Sequence, residues 1–346
     1  MGINLLYKSD ILSTPKLENW RSWSYEDYLR YFLSLKAAKK RLRPAVTPTS
    51  IFSNIELKNF CKPIKKRIKL LYGGNNPCVS IIIPAYNEES ELLPTIVSFT
   101  RLSIKPDMAE LIIVDNNSTD RTAEIIKYCG AKYVFYPKRK AANARAAGFA
   151  KSAETAEYIW FVDADTRVIA PLRFEKDLHK KSSILQTSLD YLDQNPDMIG
   201  VSTGALFETA HWSYLVIHKV ALILRLTHRL SCFSGRNQFI RKNAIKAIGG
   251  IDTSVDFRDD QHLHISLARY AKKKHLHLDN ANRNSSLEDP VYSSGRRHGS
   301  LANTLRGLFK TFMQPKLKRD KYNYPLHPKN VKWKNIRINS SGVKRE

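Results

Sequence analysis

From Val79 onward the chain alternates short apolar runs with longer stretches of helical periodicity. Residues 79–83 form a continuous, mostly β-branched run that predicts a buried strand, stopped by Pro84 and a polar loop. Helical spacing follows over 91–100. Residues 111–114 repeat the strand signal and end on Asp115, after which Ser118 or Thr119 offers a cap for a helix running to Cys129. A third strand is predicted at 132–136, a third helix over the Ala-rich 141–152, and a fourth strand at 158–162. This alternation predicts an α/β fold with a mostly parallel sheet, Rossmann-like and flanked by helices. Right-handed crossovers would gather the C-terminal strand ends on one edge.

The flanks read differently. Residues 1–50 are irregular apart from a short helical signal over 25–40. Beyond them, Ile55, Leu57, Phe60, Ile64, Ile68 and Leu71 fall near helical spacing. Lys58, Lys62, Lys65, Lys66, Arg67 and Lys69 lie between them, and Pro63 interrupts the run. Such a segment fits an interfacial helix lying on a membrane, or equally a helix packed on a core with a solvated basic face. The run GGNNP at 73–77 is turn chemistry and marks a boundary. Toward the other end, Leu301, Leu305, Leu308, Phe309 and Phe312 share one helical face, with Arg306 and Lys310 elsewhere. The expected organisation is a basic extension (1–76), a central domain (77–300), and a basic amphipathic helix with its tail (301–346).

Composition sharpens this picture. A chain of 346 residues with 42% hydrophobic positions holds a packed core, which excludes an extended disordered chain. The formal net charge is +25 and it sits on the flanks. Residues 1–76 carry 15 Lys/Arg against 5 Asp/Glu, residues 290–346 carry 14 against 2, and residues 77–289 carry 28 against 25. Basic flanks suit an anionic partner such as a membrane surface, acidic lipid or nucleic acid. Cys61, Cys78, Cys129 and Cys232 are far apart without motif spacing, which predicts reduced thiols and a cytoplasmic chain. The N-terminus lacks the apolar run of a signal peptide, and Leu6 stands where a myristoylation motif wants Ser or Thr. The most apolar longer stretch, 214–226, is broken by His218, Lys219 and Arg225 and is too short to span a bilayer. The histidines show no zinc-type spacing with Cys or Asp.

Three predicted strand-end loops, 84–89, 115–120 and 163–166, therefore meet on one edge, and all are rich in Asp, Asn, Glu and Ser. Ligands of open α/β sheets bind at that edge. The first loop reads PAYNEE instead of a glycine-rich phosphate cradle, so a diphosphate has to be held another way. In YIWFVDADTRV (158–168), Asp163 and Asp165 end a buried apolar run one residue apart. Two carboxylates so placed repel each other unless a cation lies between them. Taken alone, the same residues also describe a solvated Asp-rich turn.

Seven pieces in order resemble the family 2 glycosyltransferases of GT-A fold. They are VSIIIPAYNEE (79–89), ELIIVDNNSTDRT (110–122), ANARAAG (142–148), FVDAD (161–165), FSGRNQFIRKNAIKAIGGID (233–252), FRDDQHLHISLARYAK (257–272) and VYSSGRR (291–297). The resemblance implies an inverting, metal-dependent transfer from a UDP- or GDP-sugar to a saccharide or lipid-linked acceptor. Pro84, Tyr86 and Glu88 would border base and ribose, and Asp115 would accept from the base edge. Asp165 would ligate Mg²⁺ or Mn²⁺, with Asp163 on the ribose or completing the metal shell. Arg145 would face the donor, and the pair Arg296 and Arg297 would grip the diphosphate. Asp260, second of an acidic pair, would be the general base; the family more often has Glu-Asp where this chain has Asp259 and Asp260. Gly235 and Asp259 would line the acceptor pocket. Arg236 departs from the small residue usual there and would suit an anionic acceptor such as a lipid phosphate.

The implied setting is the cytoplasmic face of a membrane, in envelope polysaccharide or glycolipid synthesis, without a nucleic-acid partner. Two rival readings are a nucleotide-sugar nucleotidyltransferase, against which PAYNEE speaks, and a non-enzymatic polyanion binder, which leaves the acidic loops without a purpose.

Overall fold

Neighbouring strand residues point into two different cores. The computed structural model describes residues 53–169, 181–203, 205–207, 236–255, 259–278 and 291–294. Its main sheet has six strands: β1 (Val79–Ala85), β2 (Ala109–Asp115), β3 (Lys132–Phe135), β4 (Tyr158–Phe161), β6 (Gly200–Val201) and β8 (Gln238–Arg241). The order is β3-β2-β1-β4-β8-β6. Strands β1 to β4 pair in parallel, and β8 runs antiparallel between β4 and β6. The sheet is therefore mainly parallel and helix-flanked, as the sequence predicts. A second sheet, β5 (Thr166–Arg167), β9 (Val291–Ser293) and β7 (Ala205–Phe207), has no counterpart in the sequence reading. Strands of two or three residues joined across long separations leave no local periodicity to read.

Ile81 and Ile83 face a core shared with α1 (Asn54–Tyr72), α2 (Glu89–Phe99), α3 (Thr122–Cys129) and α5 (Ile184–Gln194). Ile82, Ile112, Ile159 and Phe161 face a second core under α4 (Ala141–Ala150), α6 (Lys242–Ala247) and α7 (Asp259–Lys274). Burial on both faces is why the strands read as unbroken apolar runs.

The structure decides between the two readings of the basic amphipathic segment. It forms one continuous helix through Pro63, opened by a capping box between Ser53 and Glu56. The interruption expected at Pro63 does not occur. Leu57, Cys61, Ile64, Ile68 and Leu71 are buried in the first core, so the apolar stripe is packed inside the protein and does not face a membrane. Cys61 meets Cys129 of α3 at 3.4 Å between sulfurs, both as free thiols. Tyr72 donates to the Phe99 carbonyl at 2.8 Å. At the other end of α1, Asn54 accepts from Arg121 at 2.9 Å, which ties its first turn to the loop after β2.

The helix after β2 also starts later than expected, at Thr122. Ser118 is occupied elsewhere: its amide donates to Asp115 and its hydroxyl accepts from the Asn87 amide. Asp120 takes over the start of the helix by accepting from the Thr122 amide at 3.0 Å. In α4, a Cβ on Gly148 would collide with the side chain of Ile82. The missing side chain lets α4 lie close on β1, which sets Arg145, one turn earlier, over the strand ends.

Candidate active site

The loops after β1 and β2 are stitched to each other before any ligand is considered. Asn87, in the left-handed region at φ 52°, accepts from the Thr119 amide at 2.8 Å, and the Glu89 amide donates to Asp120 at 3.0 Å. Asn116 reaches onward to the loop after β3, donating to the carbonyls of Tyr136 and Lys138 and accepting from the Lys140 amide. Much of the polar richness of these loops is thus backbone scaffolding, which the sequence could not separate from ligand chemistry.

Asp115 closes β2 and is buried. Its carboxylate accepts from the Ser118 amide at 2.9 Å and the Tyr133 hydroxyl at 3.2 Å. Burial and the Asp115 charge together push the Tyr133 phenol up to about 12. A carboxylate has about four acceptor sites, so these two bonds leave room for a ligand donor. Pro84 is tolerated at the end of central strand β1 because the pairing with β4 has already stopped at Ile82. Glu88 is buried at the start of α2, its amide donating to the Thr122 hydroxyl at 2.9 Å. Tyr86 is exposed, and the Arg139 guanidinium lies over its ring at 5.0 Å. No sequence signal singled out Arg139.

The D-A-D turn is pinned from both sides. Thr95 of α2 donates to the Ala164 carbonyl at 2.7 Å, and the Thr166 amide donates to the Asp163 carbonyl at 3.0 Å. Ser294, directly after β9, donates its amide to the Asp165 carbonyl at 3.0 Å and its hydroxyl to Asp165 Oδ2 at 3.1 Å. The pairing of Thr166 with Ser293 aligns those contacts. The motif VYSSGRR is therefore joined to the D-A-D turn at Ser294, a residue the sequence reading gave no role. Arg296 and Arg297 themselves lie outside the described residues, as does Gly235.

Arg145 joins the two acidic constellations. Its side chain is 4% exposed; Nη2 donates to Asp163 at 2.8 Å and Nη1 donates to Asp259. Burial works against the guanidinium charge, but Asp259, Asp163 and Asp260 outweigh it and hold the group more firmly protonated than usual. Gln238 of β8 donates to the Asp260 carbonyl at 3.2 Å and so fixes the first turn of α7 to the sheet. Among the described residues, Arg145 Nε, Gln238 Oε1 and Thr166 Oγ1 are buried without hydrogen-bond partners. Unsatisfied buried polar atoms are rare in folded proteins, and these three cluster around the same two acidic groups.

The family model for glycosyl transferase family 2 matches residues 80–249, which span β1 to just beyond α6. That match covers just under half of the chain. It is 38% identical over 111 residues to an uncharacterized glycosyltransferase of Haemophilus influenzae, covering 30% of this chain and 42% of that one. It is 41% identical over 59 residues to a probable glycosyltransferase, YdaM, of Bacillus subtilis, covering 17% of this chain and 14% of that one. The chain thus spans less than half the length of these relatives. Among solved structures, it is similar to a mannosyltransferase of Pyrobaculum calidifontis in complex with GDP-Man and Mn²⁺. That likeness has a TM-score of 0.47 and 16% identity, covering 76% of this chain and 68% of the other.

Among the described residues, no group of three or more His, Cys, Asp or Glu gathers into a metal cage. From the described residues, a cation at the D-A-D turn would have the two carboxylates and would take further oxygens from a diphosphate and water. That donor set fits Mg²⁺ or Mn²⁺, which commonly bind through one or two carboxylates plus substrate phosphates. Each carboxylate has one oxygen engaged: Asp165 Oδ2 accepts from the neutral Ser294 hydroxyl, and Asp163 Oδ1 is paired with the Arg145 guanidinium. Arg236 is partly exposed just before β8. The next residue, Asn237, accepts from the Trp160 indole of β4 and holds this segment to the sheet.

On α7, one turn after Asp260, His264 is buried, and burial pushes its imidazole down to about 4 from an ordinary 6.5. The unfolded chain then takes up this proton at a higher pH than the folded one. The associated stability is complete above pH 6.5 and is lost as pH falls toward 4. Urea unfolding should show a loss of about 3 kcal/mol from this group between pH ~7 and ~4, absent from His264→Leu.

Proposed function

We propose that this glycosyltransferase moves a sugar from a UDP- or GDP-sugar to a hydroxyl or lipid-phosphate acceptor, with inversion at the anomeric carbon. The observation that carries the reading is the position of Arg145, bonded at once to Asp163 of the donor loop and Asp259 of the acidic pair. It sets the residues read as donor-binding beside the residue read as base. An inverting transfer needs that adjacency, because the acceptor must attack on the face opposite the leaving diphosphate.

Asp260 accepts the proton of the acceptor hydroxyl as that oxygen bonds to the anomeric carbon. The bond from that carbon to the diphosphate breaks, and the nucleoside diphosphate leaves with the electron pair. Asp165, with Asp163, would hold Mg²⁺ or Mn²⁺, which supplies charge neutralisation for the departing diphosphate. Tyr86, beside Arg139, offers a face for the nucleobase, and Asp115 an acceptor for its edge. Arg145 has two of its donors on carboxylates, so its role is to position Asp163 and Asp259, more than to face the donor sugar. Arg296 and Arg297 remain our assignment for the diphosphate, and Gly235, Arg236 and Asp259 for the acceptor side. The basic flanks favour a chain held at the inner face of a membrane.

A thermal-shift panel of UDP-, GDP- and CDP-sugars, each with and without Mn²⁺, tests the donor class. A rise in melting temperature with one nucleotide class, larger with Mn²⁺, is expected. No shift with any nucleotide would reject the reading.

A further inference from the structure

We propose that the outward face of α1 docks on an anionic bilayer. Lys58, Lys62, Lys65, Lys66 and Lys69 are all exposed. Their spacing of i, i+4, i+7, i+8 and i+11 puts them on one stripe of the helix, about 16 Å long. With the apolar stripe of α1 buried in the core, this is the face left to solvent.

The lysines are uncompensated. Among the described residues, none of the five forms an ion pair or a side-chain hydrogen bond, whereas Lys132 pairs with Glu110 and Arg67 of the same helix donates to the Thr100 carbonyl. The single acid of α1, Glu56, is engaged in the Ser53 capping box. Lys58 and Lys62, Lys62 and Lys66, and Lys65 and Lys69 are like charges at i,i+4, an arrangement that costs helix stability. A stripe of this kind gains most from counter-charges supplied outside the chain.

A bilayer fits it better than a nucleic acid. The stripe is all lysine, hydrated point charges without the planar fork of arginine that grips individual phosphates. Ile55 and Leu70, 74% and 53% exposed, stand on the outward side at its two ends, where they would enter a headgroup layer. The first turn of α1 is tied through Asn54 to Arg121, beside the loops of the site. Docking by α1 would therefore hold that edge of the sheet next to the surface that carries a lipid-linked acceptor.

The test is sedimentation of the full chain with phosphatidylcholine vesicles, with and without phosphatidylglycerol, for wild type and the triple variant K62Q/K66Q/K69Q. Wild type should bind only the anionic vesicles and be released by salt. The triple variant should bind about a hundredfold more weakly, at about fivefold per lysine, while its circular-dichroism melt stays that of wild type. Three results would overturn the proposal. They are wild-type affinity in the triple variant, which would assign binding to other basic segments, equal binding to neutral vesicles, and tighter binding to a duplex oligonucleotide at the same salt. No nucleotide sugar enters the assay, so its failure is separate from any failure of the transferase reading.

Discussion

Asp260→Asn should abolish sugar transfer while leaving the donor bound as in wild type. The replacement keeps size and hydrogen-bonding capacity but removes the basic oxygen pair that takes the acceptor proton. General base catalysis is worth about a hundredfold to ten-thousandfold, so kcat should fall by that factor with little change in the KM for the donor. The fold should survive. The backbone carbonyl of Asp260, not its carboxylate, takes the Gln238 bond that fixes the turn, and Arg145 is bonded to Asp163 and Asp259. Titration calorimetry with the nucleoside diphosphate, beside steady-state rates, separates the two effects. Transfer within a few fold of wild type would reject Asp260 as the base.

Arg145→Met should damage stability and activity together. The methionine fills similar space but leaves Asp163 and Asp259 facing each other around a cavity that held their shared cation, with Asp260 close enough to feel the loss. Removing one partner from a buried ion pair typically costs about 3–5 kcal/mol because a charge is left buried and uncompensated. Urea unfolding at neutral pH should register a loss of that order, and transfer should fall further than the unfolded fraction explains. Arg145→Lys should recover part of the stability but not full activity, since one ammonium cannot span two carboxylates as the guanidinium fork does. Wild-type stability in the methionine variant would show that the two acids have other compensation. A stable methionine variant with full transfer would reject the positioning role.

Several features were legible before any coordinates. The apolar runs that became β1, β2 and β4 stand in the right order, since strands covered on both faces must be apolar throughout, and edge strand β3 follows β2 as expected. The three acidic loops could be placed on one edge because parallel strands with right-handed crossovers leave no other arrangement. Asp163 and Asp165 stood out because charge cannot continue into such a strand.

Other features depended on partners far along the chain. Local periodicity showed that α1 has an apolar stripe but not what covers it; only its contact with α3 and the sheet shows that the stripe is internal and the lysines face outward. On an Ala-rich helix Arg145 looks like an ordinary surface charge. It is buried because Gly148 brings α4 down onto Ile82 and because Asp259, from a distant helix, supplies the second carboxylate. Ser294 had no local signal at all, since its tie to Asp165 exists only through the pairing of β5 with β9. The chain's own pattern of apolar and polar residues, which acts between neighbours, set the strands, the helices and the edge where the acids gather. Which acid is neutralised, which is left for a ligand and which face of α1 meets solvent were decided by tertiary packing, because each depends on charge and contact between residues that the sequence keeps apart.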